Sequence, residues 1–227
     1  MREAHVVNLG QIGYLECWGL QTKLAQQRLS ERIPDTLLAL EHPSVLTLGA
    51  NFHEQNLLLT REQYSERGIE VIKTDRGGDV TFHGPNQLVL YPIFDLKAHG
   101  KDVHVWMRNL EQATIELCNQ FGLKAERFAP HTGVWVSGTK VAAIGVKISK
   151  WISTHGIAIN SNNDLEPFNL IVPCGIVGYG VTSLSREAKR EVTVADALSA
   201  ALPSFEKVFN LKFSMINREE LEASLVA

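Results

Sequence analysis

Few residues in this chain have the chemistry of a catalyst. Cysteine occurs at positions 17, 118 and 174. Cys17 and Cys118 fall in helical patterns, on or beside the apolar face, and read as small core residues. Cys174 lies in the loop sequence Pro173-Cys174-Gly175, between Ile171-Val172 and Ile176. A glycine after the sulfur lets the backbone turn sharply and bring N–H groups to whatever the sulfur carries. Two readings fit: a nucleophile, or a buried loop cysteine. Lys140 opens the apolar run Val141-Ala142-Ala143-Ile144-Gly145-Val146. It reads either as an exposed lysine at a strand start or as one partly desolvated by its neighbours. Desolvation disfavours an ammonium, whose ordinary pKa is about 10.4, and so makes a proton acceptor. A thiol of pKa about 8.5 is only slightly ionised at neutral pH, and a neighbouring ammonium stabilises its thiolate. A Cys174–Lys140 pair would thus be a base-activated nucleophile.

A denser cluster precedes both: Arg76-Gly77-Gly78-Asp79-Val80-Thr81-Phe82-His83-Gly84-Pro85-Asn86-Gln87. It offers backbone N–H groups and a guanidinium, although a Gly-Gly turn between strands explains it as well. It lacks the second glycine and the Lys-Ser/Thr ending of a P-loop. Gly175, Gly178 and Gly180 lie in a loop with no helix behind them, so no dinucleotide fingerprint exists. No ATP, dinucleotide or other cofactor is expected. The eight histidines show no H-E-x-x-H or H-x-H spacing, so no metal site is expected. His83 is the histidine to weigh as functional, His155 is second, and the others read as surface or loop residues.

The bulk properties narrow the class. A chain of 227 residues with 44% hydrophobic content has enough for a sizeable core. Its net charge of -3 argues against nucleic acid as the main partner. Three dispersed cysteines fit a reducing compartment rather than a disulfide framework. No apolar run approaches a membrane span, and no signal peptide is recognisable, so a cytoplasmic protein with no membrane role is expected.

The elements that must position these residues follow from periodicity. Ala4 to Leu9 reads as a strand. Tyr14 to Arg32 reads as a helix with Tyr14, Trp18, Gln21, Ala25 and Leu29 along one face. Thr36 to Leu40 and Val45 to Leu48 read as strands around His42-Pro43-Ser44. Thr60-x-x-Gln63 is a capping box before a short helix. Ile69 to Lys73 and Leu88 to Ile93 are strand-like. Asp102 caps a long helix to Phe121, with Val103, Met107, Leu110, Thr114, Leu117 and Phe121 as its buried stripe and Gly122 at its end. Leu123 to Phe128, Gly133 to Val136, Lys140 to Ile148 and Ser153 to Ile159 read as strands, with a hairpin turn at Ser137-Gly138. A loop spans Asn160 to Tyr179. Thr193 starts a helical region broken or kinked at Pro203, and a last helix, Arg218 to Val226, follows Asn217. Without repeats or linkers, residues 1–227 read as one domain. Strands run in blocks with helices between blocks, which predicts an α+β fold with a mixed or antiparallel sheet.

The cluster Arg76 to Leu88, followed by Tyr91-Pro92-Ile93, closely resembles the signature of the lipoyl(octanoyl) transferases. So do Thr132-Gly133-Val134-Trp135-Val136, Lys140 to Val146, His155-Gly156-Ile157-Ala158-Ile159-Asn160, Pro173-Cys174-Gly175-Ile176 and Val181-Thr182-Ser183-Leu184. Tyr14, Trp18, Leu20-Gln21 and Glu41-His42-Pro43 fit near the start. These motifs occur in the family's order over about residues 4 to 205. The resemblance implies a fold like the catalytic domain of the biotin and lipoate ligases. It also implies the reaction: octanoyl moves from acyl carrier protein to a lysine of a lipoyl domain. The acceptors implied are the 2-oxoacid dehydrogenase complexes and the glycine cleavage H protein. The family's catalytic cysteine falls on Cys174 and its lysine on Lys140. Its substrate-binding segments fall on Arg76, Gly77, Gly78, Asp79, Val80, Thr81, Phe82 and His83, on Ala143, Ile144 and Gly145, and on Gly156, Ile157 and Ala158.

Small residues at 77, 78, 142, 143 and 145 would line a narrow slot, and Arg76, Lys147 and Lys150 would steer an acidic carrier protein. Two positions depart from the family pattern. Asn86 stands where Gly is usual, and Asn tolerates the left-handed backbone such a turn needs. Ile157 replaces a common Leu. The nearest alternative is an ATP-dependent lipoate ligase of the same fold, whose Ser-Gly-Gly-Gly and His-Asp version of the cluster is absent. Others are an enzyme passing octanoyl between lipoyl domains and a non-catalytic acyl-binding module.

Overall fold

The chain alternates strands and helices without a linker, and a computed structural model describes residues 1–172 and 180–225. In chain order the elements are β1 (Arg2–Gln11), α1 (Tyr14–Leu29), β2 (Asp35–Glu41), β3 (Val45–Leu48), α2 (Arg61–Glu66), β4 (Glu70–Lys73), β5 (Val80–His83) and β6 (Gln87–Ile93). There follow α3 (Val103–Gln120), β7 (Ala125–Phe128), β8 (His131–Val136), β9 (Thr139–Ser149) and β10 (Ile152–Asn160). The last are α4 (Leu184–Ala188), α5 (Val194–Phe209), β11 (Leu211–Met215) and α6 (Arg218–Ser224).

Eight strands form one mixed sheet in the order β11-β1-β2-β6-β10-β9-β8-β7, and β4-β3-β5 form a second. β1 pairs in parallel with β2 and β11, while β6, β10, β9, β8 and β7 continue antiparallel. The central strands are buried on both faces, which is why β2 and β6 read as almost continuous apolar runs. On one face, Leu37, Leu90 and Ile159 pack against Trp106, Leu110 and Leu117 of α3 and Ala201 and Phe205 of α5. On the other, Leu38, Val89 and Ile93 pack with Cys17 and Leu24 of α1 and Leu221 of α6. The small sheet has its own core of Leu46, Leu48, Tyr64, Val80, Phe82 and Phe168.

Local chemistry sets the element ends. The Thr60–Gln63 capping box forms in both directions. Asp102 caps α3 by accepting from the N–H groups of His104 and Val105. Ser137 and Gly138 both hold positive φ (49° and 79°), the geometry of a tight hairpin between β8 and β9. Asn86 adopts φ 64°, so the turn survives without glycine there.

Several expectations need correction. The buried stripe of α1 is Tyr14, Cys17, Gln21 and Leu24, with Trp18 only half-buried. In α3, Val103 is exposed and Trp106 is the buried anchor. Pro203 lies inside α5 without ending it. Proline removes one N–H, but Ala197, Ala201, Phe205 and Phe209 bury one face, and Gln120 donates to Ala200 C=O and Ser204 Oγ. Packing here outweighs propensity. β5 sits within the glycine-rich cluster and β11 pairs only along β1; neither was legible from periodicity.

Candidate active site

β9 and β10 pair so that Gly145 faces Gly156, Ile144 faces Ile157 and Ala143 faces Ala158. The loop from Arg76 to Gly78 closes over this pair, with Gly77 N–H donating to Val146 C=O at 2.8 Å. Close approach requires the glycines. A Cβ on Gly145 would lie 2.9 Å from Gly77 O, and one on Gly156 only 2.1 Å from Leu90 O. Between strands and loop lies a narrow slot walled by Ala143, Ile144, Ile157 and Ala158. Tyr14, His83, Tyr91 and His155 also line it.

Arg76 is spent on this architecture. Its Nε and Nη2 donate to Thr47 Oγ1 (3.1 and 2.9 Å), and Nη2 also to Asp79 C=O (2.8 Å) and Thr47 C=O. Nη1 donates to Gly77 C=O at 3.0 Å. The residue is buried. It braces the loop that it belongs to and is no surface charge for steering a carrier protein.

The polar end of the slot is a network whose directions fix each other. Gln87 donates its amide N–H to Phe82 C=O and Asn160 Oδ1, so its oxygen accepts from His83 Nδ1–H (2.9 Å). His83 Nε2 then accepts from Thr47 Oγ1 at 3.3 Å. His42 donates from Nδ1 to Ile12 C=O (2.7 Å) and accepts from the Tyr91 hydroxyl (2.9 Å). His155 donates from Nε2 to Asp75 Oδ1 (2.8 Å) and accepts from the Tyr14 hydroxyl (3.3 Å). Burial pushes all three imidazoles down, His42 to about 4 and His83 well below the usual histidine range. The histidines are therefore neutral at pH 7. Burial likewise raises the Tyr14 and Tyr91 hydroxyls. Apart from the Arg76 guanidinium, which is engaged with its own loop and Thr47, the slot thus presents apolar walls and neutral polar groups.

Lys140 stands at the other end. A second, more open recess shares Gly78, Ile144 and Gly145 with the slot and is lined also by Asp79, His131 and Lys140. Lys140 is 7% exposed, so it is not the exposed lysine of a strand start. The pairing of β8 with β9 shifts here. Trp135 opposes Lys140 and Val134 opposes Ala142, leaving Val141 as an extra residue. This bulge lets Val141 and Ala142 both enter the core under α3 and α5. Ala142 therefore does not line the slot.

Position 174 lies outside the described residues. The described residues on either side are tied to the site. Val172 N–H donates to Asn56 C=O (2.9 Å), Lys140 N–H donates to Gly180 C=O (3.0 Å), and Thr182 N–H donates to Lys140 C=O (2.9 Å). Cys17 and Cys118 are fully buried, and burial pushes both thiols up to about 12, which suits inert core residues.

The structure divides the expected substrate-binding residues. Arg76, Gly78, Thr81, His83, Ala143, Ile144, Gly145, Gly156, Ile157 and Ala158 line the slot, and Gly77 and Asp79 the outer recess. Val80 and Phe82 do not. Strand alternation turns them into the small-sheet core, where Phe82 meets Phe168 edge-on. The Asp79 carboxylate accepts from Val80 N–H, His53 N–H and the Asn56 amide, so it ties the loop to the segment that holds Val172. His42, read as a surface or loop residue, is fully buried. Tyr14, Tyr91 and His42 escaped sequence reasoning as site residues because their partners lie far away in the chain; Tyr14 and His155 are 141 residues apart. Among the described residues no group of three or more His, Cys, Asp or Glu could hold a metal ion. Among them, too, no helix is long and apolar enough to cross a membrane.

The lipoyl protein ligase A/B catalytic domain matches residues 13–206. An octanoyltransferase of Chloroflexus aggregans is 44% identical over 215 residues, 93% of this chain and 97% of that protein. One of Rubrobacter xylanophilus is 48% identical over 201 residues, 88% and 90% of the two chains. Among solved structures, a chain of the bipartite lipoate protein ligase system of Thermoplasma acidophilum superposes with a TM-score of 0.75 at 14% identity, covering 99% of this chain and 91% of its own. A lipoate-protein ligase A bound with ATP gives 0.74 at 13% identity, covering 98% and 92%. The structures establish the α+β ligase fold, and the sequence relatives go further: the chain belongs to the lipoyl(octanoyl) transferase family, within the lipoyl protein ligase A/B catalytic domain.

Proposed function

We propose that this chain moves an octanoyl group from an acyl carrier protein to a specific lysine of lipoyl domains, through a thioester on Cys174. The acceptors are the lipoyl domains of the 2-oxoacid dehydrogenase complexes and the glycine cleavage H protein, and the setting is the cytoplasm. One observation carries the reading beyond the relatives' name: a narrow apolar slot opens onto a recess lined by a buried lysine. A linear acyl chain would lie along the slot walled by Ala143, Ile144, Ile157 and Ala158, with its carbonyl toward the recess that Lys140 lines. Lys140 accepts the Cys174 proton. The thiolate attacks the octanoyl thioester, the carrier sulfur leaves, and Lys140 returns the proton to it. The acceptor lysine, as a free amine, then attacks the Cys174 thioester. The Cys174 sulfur leaves, an amide forms, and Lys140 carries the proton lost by the attacking nitrogen to the departing sulfur. Thioester exchange is near balance, and thioester to amide is downhill, so the sequence needs no nucleotide. Donors aimed at the oxyanion in each step are typically worth about 100- to 1000-fold.

Mass spectrometry after mixing with octanoyl-carrier protein tests this. The Cys174 peptide should gain an octanoyl mass, and Cys174→Ser should not gain a thioester. Full transfer by Cys174→Ala would sink the proposal, as would lipoyl-domain product that required ATP and free octanoate. Lys140→Ala should slow acylation most at neutral pH, and an unchanged pH–rate profile would remove its role as base.

A further inference from the structure

Trp135 and Lys140 are directly opposed on antiparallel strands, so their side chains leave the sheet on the same face. The Lys140 Nζ lies 5.0 Å from the centroid of the Trp135 ring, inside the range of a cation–π contact. Both residues are buried, Trp135 to 1% exposure, and such contacts strengthen when water is excluded. The arrangement is built. The bulge at Val141 sets the register that opposes the two side chains. Gly133 leaves the room, since a Cβ there would lie 3.4 Å from Lys140 Cε and 2.6 Å from Ala142 O. Phe128 and His131 pack on the indole at 5.1 and 6.2 Å between centroids.

From this geometry we infer that Trp135 is a positioning residue for acyl transfer, its indole face holding the Lys140 ammonium at the mouth of the slot. The inference rests on the reading of Lys140 as proton partner. An aromatic face attracts the ammonium far more than the neutral amine. It therefore stabilises the state in which Lys140 has taken the thiol proton, and it releases the amine when that proton passes to the leaving carrier sulfur. A carboxylate in the same place would bind the cation through a hydrogen bond that each proton transfer would have to break.

The experiment is single-turnover formation of the octanoyl-enzyme, with Trp135 replaced by mono-, di- and trifluorotryptophan. Fluorine withdraws electron density from the ring and changes its shape little. The acylation rate should fall stepwise along the series, to roughly tenfold below the unsubstituted enzyme, with the carrier-protein KM unchanged. Trp135→Tyr should restore more activity than Trp135→Leu. A fluorinated series flat to within about twofold, in an enzyme that forms the acyl adduct, would overturn the inference alone. An unsubstituted chain that forms no acyl adduct would overturn the reading beneath it.

Discussion

Thr47→Val deletes one hydroxyl and keeps the shape of the side chain, so it isolates the brace between the Arg76 loop and the histidine network. The hydroxyl accepts from Arg76 at 3.1 and 2.9 Å and donates to His83 at 3.3 Å, and Thr47 is fully buried. Hydrogen bonds to a charged group contribute about 1.5–3 kcal/mol, and a buried acceptor left without its donor costs about 1–3 kcal/mol. The two losses share one site and do not add fully. Arg76 keeps its bonds to the carbonyls of Thr47, Gly77 and Asp79. A net destabilisation of about 3 kcal/mol is expected. Urea unfolding, followed by tryptophan fluorescence, would measure it. With a slope near 2–3 kcal/mol/M the midpoint should drop by about 1–1.5 M. Thr47→Ser keeps the hydroxyl and should recover most of the loss. A midpoint within about 0.2 M of the parent for Thr47→Val would refute the brace, because the bonds would then be worth no more in the fold than in water.

Gly156→Ala forces a Cβ to within 2.1 Å of Leu90 O and 2.7 Å of Pro92 Cδ in the middle of the sheet. Backbone there cannot yield cheaply, so a loss of about 3 kcal/mol is expected, or roughly 6–12 °C in Tm by calorimetry. His42 is held neutral by burial, its value pushed from 6.5 to about 4. The unfolded chain therefore binds the proton first, and stability present above pH 6.5 should be lost as pH falls through about 4, by an amount on the order of 3 kcal/mol. His42→Gln should flatten that slope in a pH series of urea midpoints; an unaltered slope would assign the loss elsewhere. With their thiols pushed up to about 12, Cys17 and Cys118 should stay unmodified by a disulfide reagent at pH 8. Replacing both with Ala should leave the native thiol count unchanged, and a lower count would show that one of them is accessible.

Much of this protein was legible in the linear chain, for a physical reason in each case. Helix caps are local: Thr60 with Gln63 and Asp102 with the first turn of α3 lie within three residues of their partners. The Ser137-Gly138 turn needs positive φ at both positions, and its composition announces it. Core roles for Cys17 and Cys118 follow from helical spacing. The segments lining the slot were named through ordered motifs, and most of those residues do meet there. Lys140 showed its type and its apolar neighbours, but two burial states fitted them equally.

The tertiary structure decided the rest, because the deciding groups are remote in sequence. Burial of Lys140 depends on a one-residue bulge between β8 and β9, which no periodicity encodes. Arg76 has the composition of a surface cation, and bonds to Thr47, 29 residues away, help make it a brace. Val80 and Phe82 share a motif with Thr81 and His83, yet strand alternation sends the two pairs to opposite faces. His42 lies beside a proline in an apparent loop, and its neutrality comes from burial against Tyr91, 49 positions later. The chain alone determines which chemical groups are present and where its local turns and caps fall. Which of those groups are dried, paired or held neutral is decided by contacts that exist only once the sheet has closed.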